Sequence, residues 1–188
     1  MVKYNYFEKL EKLSELARAA VNLACGGSAM ERGQDLSSLR RACDRSVCEL
    51  EDALFSDFLP PLERDNLAAC AHALSRVVDS ASELLNHPAV PPSARHNEEG
   101  RLCIRLADSL ASSVSMLKRI RKPDEIPDVQ GFRQLLSEGR CAHTAILAKL
   151  HAGSLPRSYA QSIILMGRLR GELSHAFDEL VEIMLNNI

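Results

Sequence analysis

Tryptophan is absent from this chain, and all aromatic residues together make up 4% of it. That scarcity argues against a β-sandwich or barrel, whose strands are filled by aromatic and β-branched side chains. No run approaches the ~20 consecutive apolar residues needed to cross a bilayer. The first residues, Met1-Val2-Lys3-Tyr4-Asn5-Tyr6-Phe7-Glu8, turn charged and amphipathic at once, without a signal-like apolar stretch. Charge of one sign is also missing. Lys+Arg number 23 against 25 Asp+Glu, a net −2, so no global basic field draws the chain to nucleic acid. Cys25, Cys43, Cys48, Cys70, Cys103 and Cys141 contain no C-x-x-C pair. With no export feature they read as reduced thiols serving as small core residues.

Catalytic signatures are equally absent. There is no H-E-x-x-H or G-x-S-x-G, and no glycine-rich loop follows a strand, because no strand pattern exists. Glu172-Leu173-Ser174-His175 meets the E-x-x-H spacing of carboxylate bundles once, without a second copy. An enzyme is therefore not expected.

What the chain has is helical periodicity. In 188 residues, 46% hydrophobic and 26% charged, apolar positions recur three and four apart. The first stripe is Phe7, Leu10, Ala17, Val21 and Ala24, stopped by Gly26-Gly27. A second runs Leu36, Leu39, Cys43, Val47, Leu50 and Leu54 and stops at Pro60-Pro61, where Pro61 suits the first turn of the next helix. The third holds Leu67, Cys70, Leu74, Val77, Val78, Ala81 and Leu85, and His87-Pro88-Ala89-Val90-Pro91-Pro92 follows as a stiff linker. A fourth carries Cys103, Leu106, Leu110, Val114, Leu117 and Ile120. A fifth, capped by Asp128, carries Phe132, Leu135, Gly139, His143, Ile146 and Leu150 and closes at Gly153. The sixth has Met166, Leu169, Leu173, Phe177, Leu180 and Met184. Amphipathic helices must bury one face against neighbours, so the fold class is all-α, a helical bundle.

One offset relates the halves. Shifting by 96 residues lays Pro60 on Pro156, Leu67 on Ile163, Cys70 on Met166 and Val77 on Leu173. It also lays Leu36, Leu39, Cys43, Val47, Leu50 and Leu54 on Phe132, Leu135, Gly139, His143, Ile146 and Leu150, and Leu10 on Leu106. Three helices agreeing in one register, breakers included, mark an internal repeat. The organisation expected is two tandem three-helix bundles, residues 1–88 and 92–188, packed as one compact unit.

The stretch from Arg40-Arg41-Ala42-Cys43-Asp44 through Phe58-Leu59-Pro60-Pro61-Leu62-Glu63-Arg64-Asp65-Asn66-Leu67, with Tyr6-Phe7-Glu8-Lys9-Leu10 before it, resembles the PhoU-like family. Within that family it is similar to the branch associated with Pit-type phosphate transporters. There a helix bearing E-x-x-x-D leads into an F-x-x-P-x-x-R-x-(D/N)-(I/L) turn. The resemblance implies a cytoplasmic regulator, peripheral at the inner face of the membrane through its partner, a phosphate transporter or an associated signalling protein. A homo-dimer is compatible with it.

The family's repeated acidic pairs can hold a divalent or ferric metal, since residues four apart share one helix face. Here Arg40 stands where the first Glu belongs and Ser75 precedes Asp79; the offset turns the other pairs into Leu136 with Arg140 and Gly171 with His175. Asp44, Asp79, His175 and Asp178 are left as the metal candidates of a degraded site; no other cofactor is implied.

Other polar groups have plainer readings. His72, Arg76, Asp79 and Glu83 on one helix, and His175, Asp178, Glu179 and Glu182 on another, read as solvated faces or docking surfaces. His143 reads as a core histidine bonded to a neighbour. Lys118-Arg119-Ile120-Arg121-Lys122 reads as cations at a helix C-terminus. A carboxylate-bundle metalloprotein and an adaptor unrelated to phosphate are the alternatives.

Overall fold

The computed structural model describes residues 5–26, 36–57, 60, 62–119 and 127–186, and these form helices and turns with no strand. Helix α1 spans Tyr6–Cys25, α2 Leu36–Ser56, α3 Arg64–Asn86, α4 Pro92–Arg95, α5 Glu98–Met116, α6 Val129–His151 and α7 Tyr159–Leu185. A 3-10 turn, Leu117–Arg119, continues α5. The helix missed in the sequence is α4, a single turn at the end of the segment read as a stiff linker. Pro92 begins it, where a missing N–H costs nothing.

Local chemistry sets the ends. The Asn5 side chain accepts from the Glu8 amide (3.2 Å) and donates to the Glu8 carboxylate (3.1 Å), closing α1 in a reciprocal cap. Asn97 caps α5 by accepting from Gly100, and Asp128 caps α6 by accepting from Gly131 at 2.8 Å, the role expected of it. Gly153, at φ +72°, ends α6 in a Schellman turn: its N–H reaches Leu150 O and the Ser154 N–H reaches Lys149 O. Pro61 and Gly27, read as breakers, lie outside the described residues; α3 begins at Arg64 and α1 ends at Cys25.

Helices α1, α2 and α3 pack on one another, as do α5, α6 and α7, and the two trios meet through α3 against α7 and α1 against α5. Ion pairs give the sense of both crossings. Arg76 meets Glu172 at 3.1 Å and Glu83 meets Arg168 at 2.6 Å, so α3 and α7 run antiparallel. Lys118 pairs with Glu11, and Arg18 lies 3.9 Å from Asp108, so α1 and α5 do too. Arg76 and Glu172 are 96 residues apart, the repeat offset itself. In an antiparallel pair of equivalent helices, equivalent positions meet at only one level, so this pair marks the pseudo-twofold axis. Shifting α3 by 96 gives 160–182 against the observed 159–185, and shifting α2 gives 132–152 against 129–151.

The core is aliphatic. All six residues of the α2 stripe are buried, as are the α7 stripe and, in α3, every stripe residue except half-buried Leu85. Ile120 of the α5 stripe falls outside the described residues. The α6 stripe departs from expectation: Phe132 and Gly139 are buried, but Leu135, His143, Ile146 and Leu150 are only half-buried. Beyond Gly139, α6 has no buried residue. Cys25, Cys43, Cys70 and Cys103 are buried as expected, whereas Cys48 and Cys141 are exposed. Burial pushes the Cys25 and Cys70 thiols up to about 12, which makes them inert.

Candidate functional site

The four candidate ligands fall into two places. Asp44 and Asp79 lie on the paired faces of α2 and α3, and Arg40 stands with them, its guanidinium 2.9 Å from the Asp79 carboxylate. Burial, first, and then the charges of Asp44 and Asp79 raise the Cys43 thiol to about 11, against the lowering effect of its bond with Ser75. Arg40, Asp44, Ser75 and Asp79 thus gather around Cys43, with a guanidinium supplying the positive charge that an ion would otherwise bring. Arg40 and Asp79 are about half exposed, so solvent screens the pair and its worth to stability is small.

His175 and Asp178 lie in the second place, an open cavity of ≈ 330 Å³ between α6 and α7. Its walls include Leu136, Arg140, Gly171 and Ser174. Under the offset Arg140 replaces Asp44 and His175 replaces Asp79, so the equivalent groove carries an arginine and a histidine where the first carries carboxylates. His175 Nδ1 is 3.4 Å from Glu179 on its own helix. Glu172, the glutamate of the E-x-x-H spacing, is turned to Arg76, and Glu138 lies 3.5 Å from Arg105. Among the described residues no three His, Cys, Asp or Glu side chains converge as metal ligands.

A charged cluster that sequence patterning did not single out lies beneath that second groove. Glu99, fully buried in the first turn of α5, is bound by Arg170 of α7 and by His143 Nδ1 of α6 at 3.0 Å. Arg170 also donates to the Gly139 carbonyl at 3.1 Å. Small residues make the room: a Cβ at Gly139 would fall 2.9 Å from Arg170 Cδ, and one at Gly167 would fall 3.1 Å from the His143 ring. Burial pushes the Glu99 carboxyl up from its ordinary value, against the lowering charges of Arg170 and then His143. Its second oxygen, Oε2, has no hydrogen-bond partner among the described residues, nor has the buried Arg95 Nε. His143 is bonded to a neighbour as expected, but it is half-buried rather than in the core. Its partner was hidden because Glu99 looks like an ordinary first-turn acid; the cue was a glycine on each of α6 and α7, Gly139 against Arg170 and Gly167 against His143.

The α3 face read as solvated is about half exposed, and it also carries a row of ties between helices. His72 meets Glu51 of α2 at 2.9 Å, Asp79 meets Arg40, and Arg76 and Glu83 meet Glu172 and Arg168 of α7. Of the basic run, Lys118 pairs with Glu11; the Arg119 side chain and residues 120–122 lie outside the described residues.

No family model matches the sequence. No curated protein matches it either. The fold does have solved counterparts. It is similar to a PhoU-like protein from Shewanella oneidensis MR-1, with TM-score 0.65 and 12% identity over 96% of each chain. It is also similar to a structure described as a PhoU-like phosphate regulatory protein from the same organism, with TM-score 0.58, 13% identity, 97% of this chain and 96% of that one. The chain has the PhoU-like, all-α fold over nearly its whole length.

Proposed function

We propose that this chain is an accessory regulator of inorganic phosphate transport or of the signalling attached to it, working by docking its helix faces on a protein partner rather than by catalysis. The fold carries this reading, since a protein of the same fold, matched end to end, is described as a phosphate regulatory protein. A phosphate transporter, or a signalling protein beside it, is the partner we infer. Its site would be the cytoplasmic face of the membrane. No helix among the described residues is long and apolar enough to cross a membrane, so a membrane contact by these helices would be peripheral.

The molecule is read as two three-helix units, residues 1–88 and 92–188, with the site inherited at equivalent places in each. Asp44 with Asp79, and His175 with Asp178, are the positions at which a divalent or ferric ion would be held. Arg40 and Arg140 now stand beside them, and a fixed cation there repels the ion while pairing with the carboxylates. We infer that these grooves have passed from metal ligation to charge-based recognition.

The test is phosphate uptake in cells from which the gene has been deleted. Uptake changes on deletion and returns to the parental rate when the intact chain is restored. Unchanged uptake, under both phosphate-rich and phosphate-starved growth, would point to an adaptor unrelated to phosphate.

A further inference from the structure

Donors outnumber acceptors in the open groove between α6 and α7. Its wall carries the Arg140 and Arg170 guanidiniums and the Ser174 hydroxyl against one carboxylate, that of Asp178. In the counterpart groove of the first unit the charges are closed on each other, with Arg40 2.9 Å from Asp79. In the second they are open. Among the described residues the Arg140 guanidinium, the Ser174 hydroxyl and the Asp178 carboxylate have neither a hydrogen bond nor an ion pair. His175 also lines the groove, with Nδ1 3.4 Å from Glu179.

Arg170 is only partly engaged. Its Nη1 holds Glu99 and the Gly139 carbonyl, while Nε and Nη2 have no partner among the described residues. Glu99 meets its charge, so what Arg170 brings to the groove is its remaining N–H groups. The unmatched positive charge is that of Arg140. Packing does not demand this set of residues. The offset of 96 lays Arg140, Arg170, Ser174 and Asp178 on Asp44, Leu74, Val78 and Ser82, and the first trio folds without any of the four. Glycine keeps the space free as well. A Cβ at Gly171 would meet nothing within 4 Å, so the ≈ 330 Å³ is not filled from its own wall.

The mixture of groups selects the ligand. The fixed guanidiniums disfavour a metal ion. A fully ionised oxyanion such as sulfate satisfies the donors but sets a bare oxygen against the Asp178 carboxylate, with no proton between two like charges. A tetrahedral oxyanion that keeps a proton satisfies both sides, accepting from the donors and donating its O–H to the acid. We propose that the α6–α7 groove binds a small protonated tetrahedral oxyanion, of which hydrogen phosphate is the type, through Arg140, Arg170 and Ser174, with Asp178 accepting the ligand's proton in a hydrogen bond. Asp178 is then the residue that tells phosphate from sulfate, because a site built to accept from a ligand O–H leaves that acceptor unpaired when the O–H is missing. The inference rests on the reading of the grooves as places of charge-based recognition, and it names what the second one takes.

Isothermal titration calorimetry of the full chain at pH 7 tests this, with sodium phosphate as the ligand and ionic strength held constant by sodium chloride to keep screening fixed. Phosphate binds at one saturable site per chain, and sulfate binds about tenfold or more weakly. Arg140→Gln, at an exposed position that folding does not use, weakens phosphate about tenfold or more. Gly171→Leu, for which there is room, blocks the groove and abolishes the binding. Asp178→Asn removes the acid and brings phosphate and sulfate close to parity. Absence of a saturable phosphate site overturns the proposal. So does a site that takes sulfate as well as phosphate, one indifferent to Arg140→Gln, or a preference for phosphate that survives Asp178→Asn. This titration and the uptake measurement fail separately. A chain that binds no phosphate but alters uptake loses only the site, and one that binds phosphate without altering uptake keeps the site and loses the regulatory role.

Discussion

Replacing Arg170 with alanine destabilises the fold by about 3–5 kcal/mol, the cost of stranding a buried charge. Arg170 is 13% exposed and Glu99 is fully buried, so neither charge has water to fall back on. Without the guanidinium, Glu99 keeps only the His143 ring, and its second oxygen already lacks a partner among the described residues. The Gly139 carbonyl loses its donor as well. The deficit depends on pH with a definite sign. Burial holds the folded Glu99 carboxyl above its ordinary value. Folding therefore favours the protonated acid. The stability this contributes is complete below the ordinary carboxylate range and is lost as pH rises through the raised value. Removing Arg170 takes away a charge that opposed this rise, so the variant loses more at pH 8 than at pH 5. Urea unfolding at both pH values measures the difference. Changing Glu99 and Arg170 together to methionine recovers most of the loss, since an apolar pair of similar size has no charge to strand.

Phe177→Ala is the second large effect, at about 3–5 kcal/mol for an aromatic truncated in a closed core. Phe177 is 2% exposed and Phe132 is 1% exposed, and their rings stack with centroids 3.7 Å apart and planes 5° apart. This contact joins α6 to α7 near the one end of α6 that is well packed. The first unit has Ala81 and Leu36 at the equivalent positions, so it cannot make the same contact. With Leu136 and Gly139 the only other buried residues among those described in α6, the stack is a large share of that helix's apolar anchorage. A chain of this size loses about 2–4 °C of Tm per kcal/mol, so calorimetry would register a fall of about 10 °C.

Much of the fold was legible because it rests on period and punctuation. The stripes of α2 and α7 are buried residue for residue, and the offset of 96 that aligned Pro60 with Pro156 reappears as an ion pair between Arg76 and Glu172. That reading failed on α6, where periodicity marked an apolar face but could not say whether a neighbour would cover it. Whether a face finds a neighbour is a property of the packing and leaves no trace in the period. Helix α4 was missed because one turn, nucleated by Pro92 between other prolines, has no periodicity to display.

The site was legible in its positions more than in its partners. Spacing by four fixed Arg40 and Asp44 on one face of α2, and Arg40 does meet Asp79 of α3. The face of α3 is solvated as read, but its partners were hidden because an ion pair to another helix leaves no trace in local sequence; His72, Arg76, Asp79 and Glu83 each reach a partner at least 21 residues away. Glu99 was invisible for the same reason, since its burial is created by α6 and α7, far along the chain.

Elemental analysis of the purified chain tests most directly whether the inherited grooves recognise partners by charge rather than hold metal. With Arg40 against Asp79, and Arg140 beside His175 and Asp178, the expected result is no stoichiometric iron, manganese or zinc. One or more equivalents of metal per chain, lost when Asp44 and Asp79 are changed to alanine, would contradict it.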